Sequence, residues 1–344
     1  MDAQIEIDEE LIRGLLREQH PDLAELPIRE VPGGWDNQLW RVGGELAVRM
    51  PRTERAPDLL RKEYRWLPVL APPLPLPVPV PVRTGEPSER FPRFWTVARW
   101  VAGEPADAAP VTRGEHAAEA LAGFLRVLHR EAPEEAPVNP HRGVPLSAHV
   151  DDAEKGLRLL SEFADAAAVR RVWEDALAAP EARGTPVWLH GDLHPANVVV
   201  TDGTLSGVLD FGELCSGDPA TDLSAAWLLL PSAGAVSRFF EAYRHGAGAG
   251  AGHGHGDGAR DADRARDADR SRDAARADDA ARAGERVGAV DLDEATIRRA
   301  RGWALLRAAG LIDIGRAGDQ GLPGGKPTWG PAGRATLARV LADG

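Results

Sequence analysis

The stretch from 187 to 217, VWLHGDLHPANVVVTDGTLSGVLDFGELCSG, constrains this chain more than any other. Two short apolar runs, 187–189 and 198–200, flank a polar loop, HGDLHPAN, and both read as strands. A turn, TDGTLSG, leads to a further apolar pair at 208–209, which ends on Asp210-Phe211-Gly212. Within the loop, Asp192 and Asn197 stand five positions apart.

Strand, polar loop, strand, turn, strand and a closing Asp-Phe-Gly is the order used in kinase-type phosphoryl transfer. The Asp192 to Asn197 interval matches H-R-D-x-x-x-x-N. Such chemistry needs positioning and charge neutralisation more than covalent help. Asp192 is the candidate base, accepting the proton of a substrate hydroxyl and orienting it toward a γ-phosphate. Asn197 and Asp210 are candidate magnesium ligands, each beside a stiff strand. His190 is read as a support of the loop, and His194 is given no catalytic role. Asp218 caps a predicted helix over 220–230, and Asp222 points back from its first turns, so both brace the loop. A rival reading takes His190, Asp192, His194, Asp210 and Asp218 as a two-metal hydrolytic cluster, which leaves Asn197 and the Asp-Phe-Gly unexplained.

Upstream, Asp8 caps a helix with Leu11, Ile12, Leu15 and Leu16 on one face. Gly33-Gly34 reads as a turn, 37–42 and 46–50 as paired strands, and Gly43-Gly44 as their hairpin turn. Strands and a glycine turn over a phosphate site form a nucleotide-covering loop, which makes Gly33 and Gly34 candidate nucleotide contacts. Arg49 falls on the second of these strands, where a cation reaches phosphates. Glu63, on a short helix, LLRKEYRWL, is its candidate partner. The proline-rich 72–81 reads as an extended edge leading into a strand. Residues 94–100 form the next strand, and 101–103 a hinge whose backbone can meet an adenine edge. The predicted organisation is an N-terminal nucleotide lobe over 1–100, the linker 101–103, and a catalytic and substrate lobe over 104–344.

Past the hinge, Thr112 and Glu115 spell a capping box before a helix burying Leu121, Phe124, Leu125 and Leu128, with His129 structural. Helices are predicted at 151–163, 167–178 and 235–245. Residues 246–284 pass from Gly-Ala and Gly-His alternation into RDADRARDADRSRD, with no apolar face, and read as a disordered insertion. Asp291 and Glu294 box a helix with Ile297, Ala300, Ala304, Leu305 and Ala308 on its buried face, ending at Gly310. A glycine-rich loop at 315–325 and a last helix over 331–341 close the chain.

The 344 residues suffice for two lobes, and a net charge of −12 argues against a nucleic-acid partner. No run approaches the roughly 18 apolar residues of a membrane span, and the first ten residues are acidic with no apolar stretch of a leader. A single cysteine, Cys215, suits a reducing compartment, so a cytoplasmic location is expected. Oligomeric state is not readable.

GGWDN at 33–37, LAVRMPR at 46–52, HGDLHPAN at 190–197 and LDFGELCSGDPATDL at 209–223 together resemble the aminoglycoside phosphotransferase family of kinase-like small-molecule phosphotransferases. The resemblance covers nearly all the chain outside 246–284. It implies an α+β, protein-kinase-like two-lobed fold, a small β-rich lobe before a larger helical one, with ATP or GTP between them. It also implies Asp192 as base, Asn197 and Asp210 on magnesium, and a small hydroxylated substrate in a pocket that is often acidic because many such substrates are cationic amines. The family's usual lysine is Arg49 here, a planar fork instead of a point charge. That departure keeps a nucleotide-binding scaffold without turnover as an alternative.

Overall fold

The computed structural model describes residues 6–31, 34–245 and 292–343. Gly33 and the insertion at 246–284 lie outside the described residues.

Helix α1 (Glu9–Gln19) starts where expected, with Asp8 accepting from the Leu11 amide, and its Ile12, Leu15 and Leu16 are buried. They pack on an antiparallel sheet of five strands, ordered β1-β2-β3-β5-β4: β1 (Ile28–Val31), β2 (Asn37–Val42), β3 (Leu46–Pro51), β4 (Pro81–Gly85) and β5 (Trp95–Arg99). Strand alternation divides the labour. Trp40, Val42, Val48, Met50, Trp95 and Val97 join the α1 core, while Leu39, Ala47, Arg49 and Ala98 face a large cleft on the other side. The sequence pattern had missed β1, whose IREV carries charges at both central positions and no apolar alternation.

Helix α2 (Ala56–Leu70) is longer than LLRKEYRWL at both ends. Pro57 lies in its first turn, where the missing N–H costs nothing, and Pro68 lies in its last. The proline-rich run then lies extended, with Val78 buried and the Pro77 carbonyl accepting from the Val208 amide.

Two-residue β6 (Glu104–Pro105) pairs with β8 (Val198–Thr201), which pairs with β9 (Thr204–Val208), and β7 (Val187–Leu189) pairs with β10 (Cys215–Gly217). The turn TDGTLSG shrinks to two residues, Asp202 and Gly203, both with positive φ, and the rest of that segment is strand. Helices α3 (Gly114–Leu128), α4 (Val150–Leu160), α5 (Ala166–Ala178), α6 (Ala220–Leu223), α7 (Ala225–Leu229), α8 (Ala233–His245), α9 (Glu294–Asp319) and α10 (Trp329–Ala342) enclose the second, larger core.

Other helix boundaries depart from the sequence reading as well. Thr112 does not cap α3: the Thr112 and Arg113 amides both donate to the Gly203 carbonyl, so the chain turns into the helix only at Gly114. The helix expected over 220–230 breaks at Ser224, whose hydroxyl donates to the Thr221 carbonyl. Helix α9 is capped by Asp293, which accepts from the Thr296 amide, and it runs through Gly310 to Asp319. Its Gly315 is a packing residue. A Cβ there would stand 2.3 Å from the Gly330 amide nitrogen, so the backbones of α9 and α10 touch only because that position is bare. Among the described residues, no helix is long and apolar enough to cross a membrane.

Candidate active site

Loop HGDLHPAN leaves β7 and is fixed from below by Asp222 of α6. Asp222 Oδ2 accepts from the His190 amide at 2.7 Å and Oδ1 accepts from the Gly191 amide at 2.8 Å. His129 Nε2 donates to the same carboxylate at 3.3 Å, and its Nδ1 meets the Tyr243 hydroxyl at 2.8 Å. Burial would raise the Asp222 carboxyl, but His129 and the backbone donors outweigh it and hold it below the ordinary range. Gly191 itself has φ of +81°, and a Cβ there would lie 2.6 Å from the Glu213 carbonyl oxygen. The loop therefore needs glycine at this position.

His190 Nε2 donates to the Leu209 carbonyl at 2.8 Å, and its Nδ1 accepts from the Asp192 amide at 3.1 Å. Those two contacts require the neutral Nε2–H tautomer. They also tie the loop to the residue before Asp210. Asn197 Nδ2 donates to the Asp192 carbonyl at 2.9 Å and lies 3.3 Å from Asp192 Oδ2, and the residue lines the cleft. Asp210 has a left-handed backbone, φ 55°, and a half-exposed side chain. One of its oxygens accepts from the Gly212 amide at 3.3 Å and from Arg49 at 3.4 Å.

The structure brings Arg49 and Glu63 into a direct, buried ion pair, with Glu63 only 1% exposed. Burial pushes the Glu63 carboxyl up to about 7, with Arg49 pulling it the other way. Gly34 lines the cleft beside Trp35 and Asp36. Asp36 is gripped by Arg55 at 2.6 Å, and Arg55 reaches on to Glu213 at 2.9 Å, a chain joining the glycine loop to the residue after Asp-Phe-Gly. Asp218 does not touch the HGDLHPAN loop. It accepts from Ala220 at 3.0 Å and pairs with buried Arg299 at 2.7 Å, which pins α9 beneath the site. Cys215 is buried, and burial pushes its thiol up to about 12, so it is no thiolate nucleophile at neutral pH.

Two residues absent from the sequence reading lie on Asp192. Arg307 of α9 donates to Asp192 Oδ1 at 2.6 Å and to the Gly191 carbonyl at 2.5 Å. Arg142 reaches the same Oδ1 at 3.6 Å. His194 Nε2 lies 3.5 Å from Oδ2, and its ring stands edge-on to Trp329. Burial raises the Asp192 carboxyl, but Arg307, His194 and Arg142 outweigh it and hold it well below the ordinary range. The signal for Arg307 was present as a stripe: Trp303, Leu306, Arg307, Gly310 and Ile314, spaced 3, 4, 7 and 11, all line the cleft. Ending the helix at Gly310 cut that stripe short of Ile314.

Arg49, Asp192, Asn197 and Asp210 line one cavity of about 890 Å³, together with Trp100, Val101 and Gly103 of the segment after β5. The hydrolytic alternative does not survive this geometry. His190 is spent on backbone partners, Asp218 on Arg299, and no three His, Cys, Asp or Glu side chains among the described residues converge as a metal site. Magnesium fits differently. It takes oxygen donors, and the Asn197 amide oxygen and the second Asp210 oxygen have no hydrogen-bond donor on them among the described residues.

The chain is similar to known proteins. An aminoglycoside 3'-phosphotransferase of Escherichia coli is 30% identical over 135 residues, 38% of this chain and 50% of the relative, and a Salmonella typhimurium protein of the same name matches equally. The match thus spans half the length of these curated relatives. The fold is that of the GDP complex of an aminoglycoside 2'-phosphotransferase-IIIa mutant, with a TM-score of 0.60 at 19% identity, covering 98% of each chain. Macrolide 2'-phosphotransferase MphH from Brachybacterium faecium aligns with a TM-score of 0.54 at 21% identity, over 94% of this chain and 97% of that one. It is the kinase-like two-lobed fold. The profile of the phosphotransferase enzyme family, APH, matches residues 27–267, and the chain belongs to that family.

Proposed function

We propose that this protein transfers the γ-phosphoryl group of ATP, or of GTP, to a hydroxyl of a small molecule, with magnesium. The observation that carries this reading is the convergence of Asp192, Asn197, Asp210 and the Arg49–Glu63 pair on one cavity. The 101–103 segment offers backbone to the base. Arg49, held by Glu63, offers a guanidinium fork to the phosphates. Bound magnesium would be held by Asn197 and Asp210 and would neutralise phosphate charge.

Asp192 accepts a hydrogen bond from the incoming hydroxyl and aims its oxygen at the γ-phosphorus. The new P–O bond forms as the bond to the β,γ-bridging oxygen breaks, the hydroxyl proton passes to the Asp192 carboxylate, and the nucleoside diphosphate leaves. A carboxylate held well below its ordinary pKa keeps that proton only briefly, so Asp192 works mainly by orientation.

ADP release from purified protein, measured with ATP and magnesium across a panel of aminoglycosides, amino alcohols, macrolides and simple hydroxy acids, tests the reading. Release that needs magnesium and one acceptor class supports it. Tight nucleotide binding with no acceptor-dependent release from ATP or GTP would instead make the protein a binding scaffold.

A further inference from the structure

The wall that faces Asp192 from the helical side carries Arg142, Lys155, Arg307 and Lys326 as well as Glu104, Asp107 and Asp313. Arg142 and Arg307 converge on a single carboxylate oxygen, Asp192 Oδ1, at 3.6 and 2.6 Å. The Nε of each is buried with no hydrogen-bond partner among the described residues. Lys155 is balanced by Asp313 at 3.5 Å, whereas Lys326, which also lines the cavity, has no ion pair among the described residues. Around these cations the surface is apolar, formed by Leu159, Trp303, Leu306, Ile314 and Trp329. Two guanidiniums share the Asp192 carboxylate, and Glu213, the other carboxylate acting on Arg142, is itself paired with Arg55 at 2.9 Å.

We propose, resting on the phosphotransfer reading above, that the acceptor is a hydroxylated molecule with an apolar body and a carboxylate, its anionic group received by Arg142 and Arg307. A guanidinium fork matches a carboxylate in shape and charge. The apolar walls accept a ring or chain between that carboxylate and the reacting hydroxyl. A polyamine in the same place would set its ammonium groups against two like charges that share one carboxylate. Burial, with Arg307 close by, draws the Arg142 guanidinium down to about 10 against the opposing pull of Asp192 and Glu213.

The test uses three probes of one skeleton: 4-(hydroxymethyl)benzoate, benzyl alcohol and 4-(aminomethyl)benzyl alcohol. Each is titrated calorimetrically into the full chain at low salt, with and without magnesium and a non-hydrolysable ATP analogue. The benzoate binds about tenfold or more tightly than the amine, with the neutral alcohol between them. Arg142→Gln weakens the benzoate about tenfold and leaves the neutral alcohol and the analogue within about twofold. Arg142→Lys keeps the order of the three, which separates lost charge from lost folding.

Equal or tighter binding of the amine overturns the proposal, as does no binding of the benzoate. So does a benzoate preference that survives Arg142→Gln. Loss of nucleotide affinity in Arg142→Gln, with the order of the probes unchanged, would assign the guanidinium to the phosphates instead and also overturns it. Failure of the analogue to bind the wild type would sink the phosphotransfer reading, while the titrations without nucleotide still decide this one.

Discussion

Arg307 Nη1 donates to Asp192 Oδ1 over 2.6 Å across 115 residues of sequence, while its Nη2 holds the carbonyl of the preceding Gly191. One guanidinium thus fixes both the charge and the backbone of the loop on which the proposed chemistry depends. Removing it raises the Asp192 pKa, because a stabilising positive charge leaves while the burial remains. In Arg307→Gln the acid limb of the kcat/KM profile should therefore move to higher pH than in the wild type. A pH–rate profile with a shared acceptor checks this, and an unmoved limb would contradict it.

Asp222 faces two backbone donors, the His190 and Gly191 amides. Asp222→Asn sets an NH2 group against one of them and should cost about 1–3 kcal/mol at neutral pH. The folded pKa of Asp222 is depressed, so its contribution is present above the unfolded carboxylate value of about 4 and is lost as pH falls through the folded one. The Tm gap between wild type and Asp222→Asn should therefore shrink on acidification. Thermal melts across pH measure it, and a gap that widens in acid would contradict the account.

Arg49→Ala strands Glu63, 1% exposed, without its cation. The cost should be about 3–5 kcal/mol near neutral pH, and the double variant Arg49→Met with Glu63→Leu should recover most of it. Without Arg49 the Glu63 pKa rises further, and a raised folded pKa contributes stability at low pH that is lost as pH climbs through it. The deficit of Arg49→Ala should therefore be smallest in acid. Denaturant titrations of the three proteins at two pH values test both statements.

Gly315→Ala forces a methyl group against the Gly330 backbone. Overpacking there should cost about 1–3 kcal/mol and push α9 from α10. Since α9 carries Arg307, turnover should fall together with Tm, whereas Gly310→Ala, with open space around it, should leave Tm nearly unchanged. Equal behaviour of the two variants would contradict the packing argument.

Much of the site is written locally, which is why it could be read. Asp192, Asn197 and Asp210 fall within one segment whose apolar runs are short and whose spacings are fixed by strands. Asp222 was legible because one helical turn directs it back to the loop. Arg49 and Glu63 were legible as a pair because β3 and α2 are adjacent in sequence. What was hidden is what comes from afar. Arg142 sits in a proline- and charge-rich loop with no periodicity, and Arg307 lies on the polar edge of a helix whose core face reads cleanly without it. Glycine misled in a particular way: Gly310 and Gly315 look like stops, yet Gly315 serves a helix contact that local propensity does not record. Asp218 was rightly expected beside a helix start, but its partner, Arg299, is set by tertiary packing alone.

The central claim is that Asp192 serves transfer and not nucleotide binding. The most direct measurement compares wild type with Asp192→Ala in one preparation, reading the Kd of the magnesium nucleotide by calorimetry and the rate of acceptor-dependent ADP release. The account predicts a rate lower by about 10²–10⁴-fold with a Kd within a few-fold of the wild type. An equal loss of both, or a rate that survives the substitution, would contradict it.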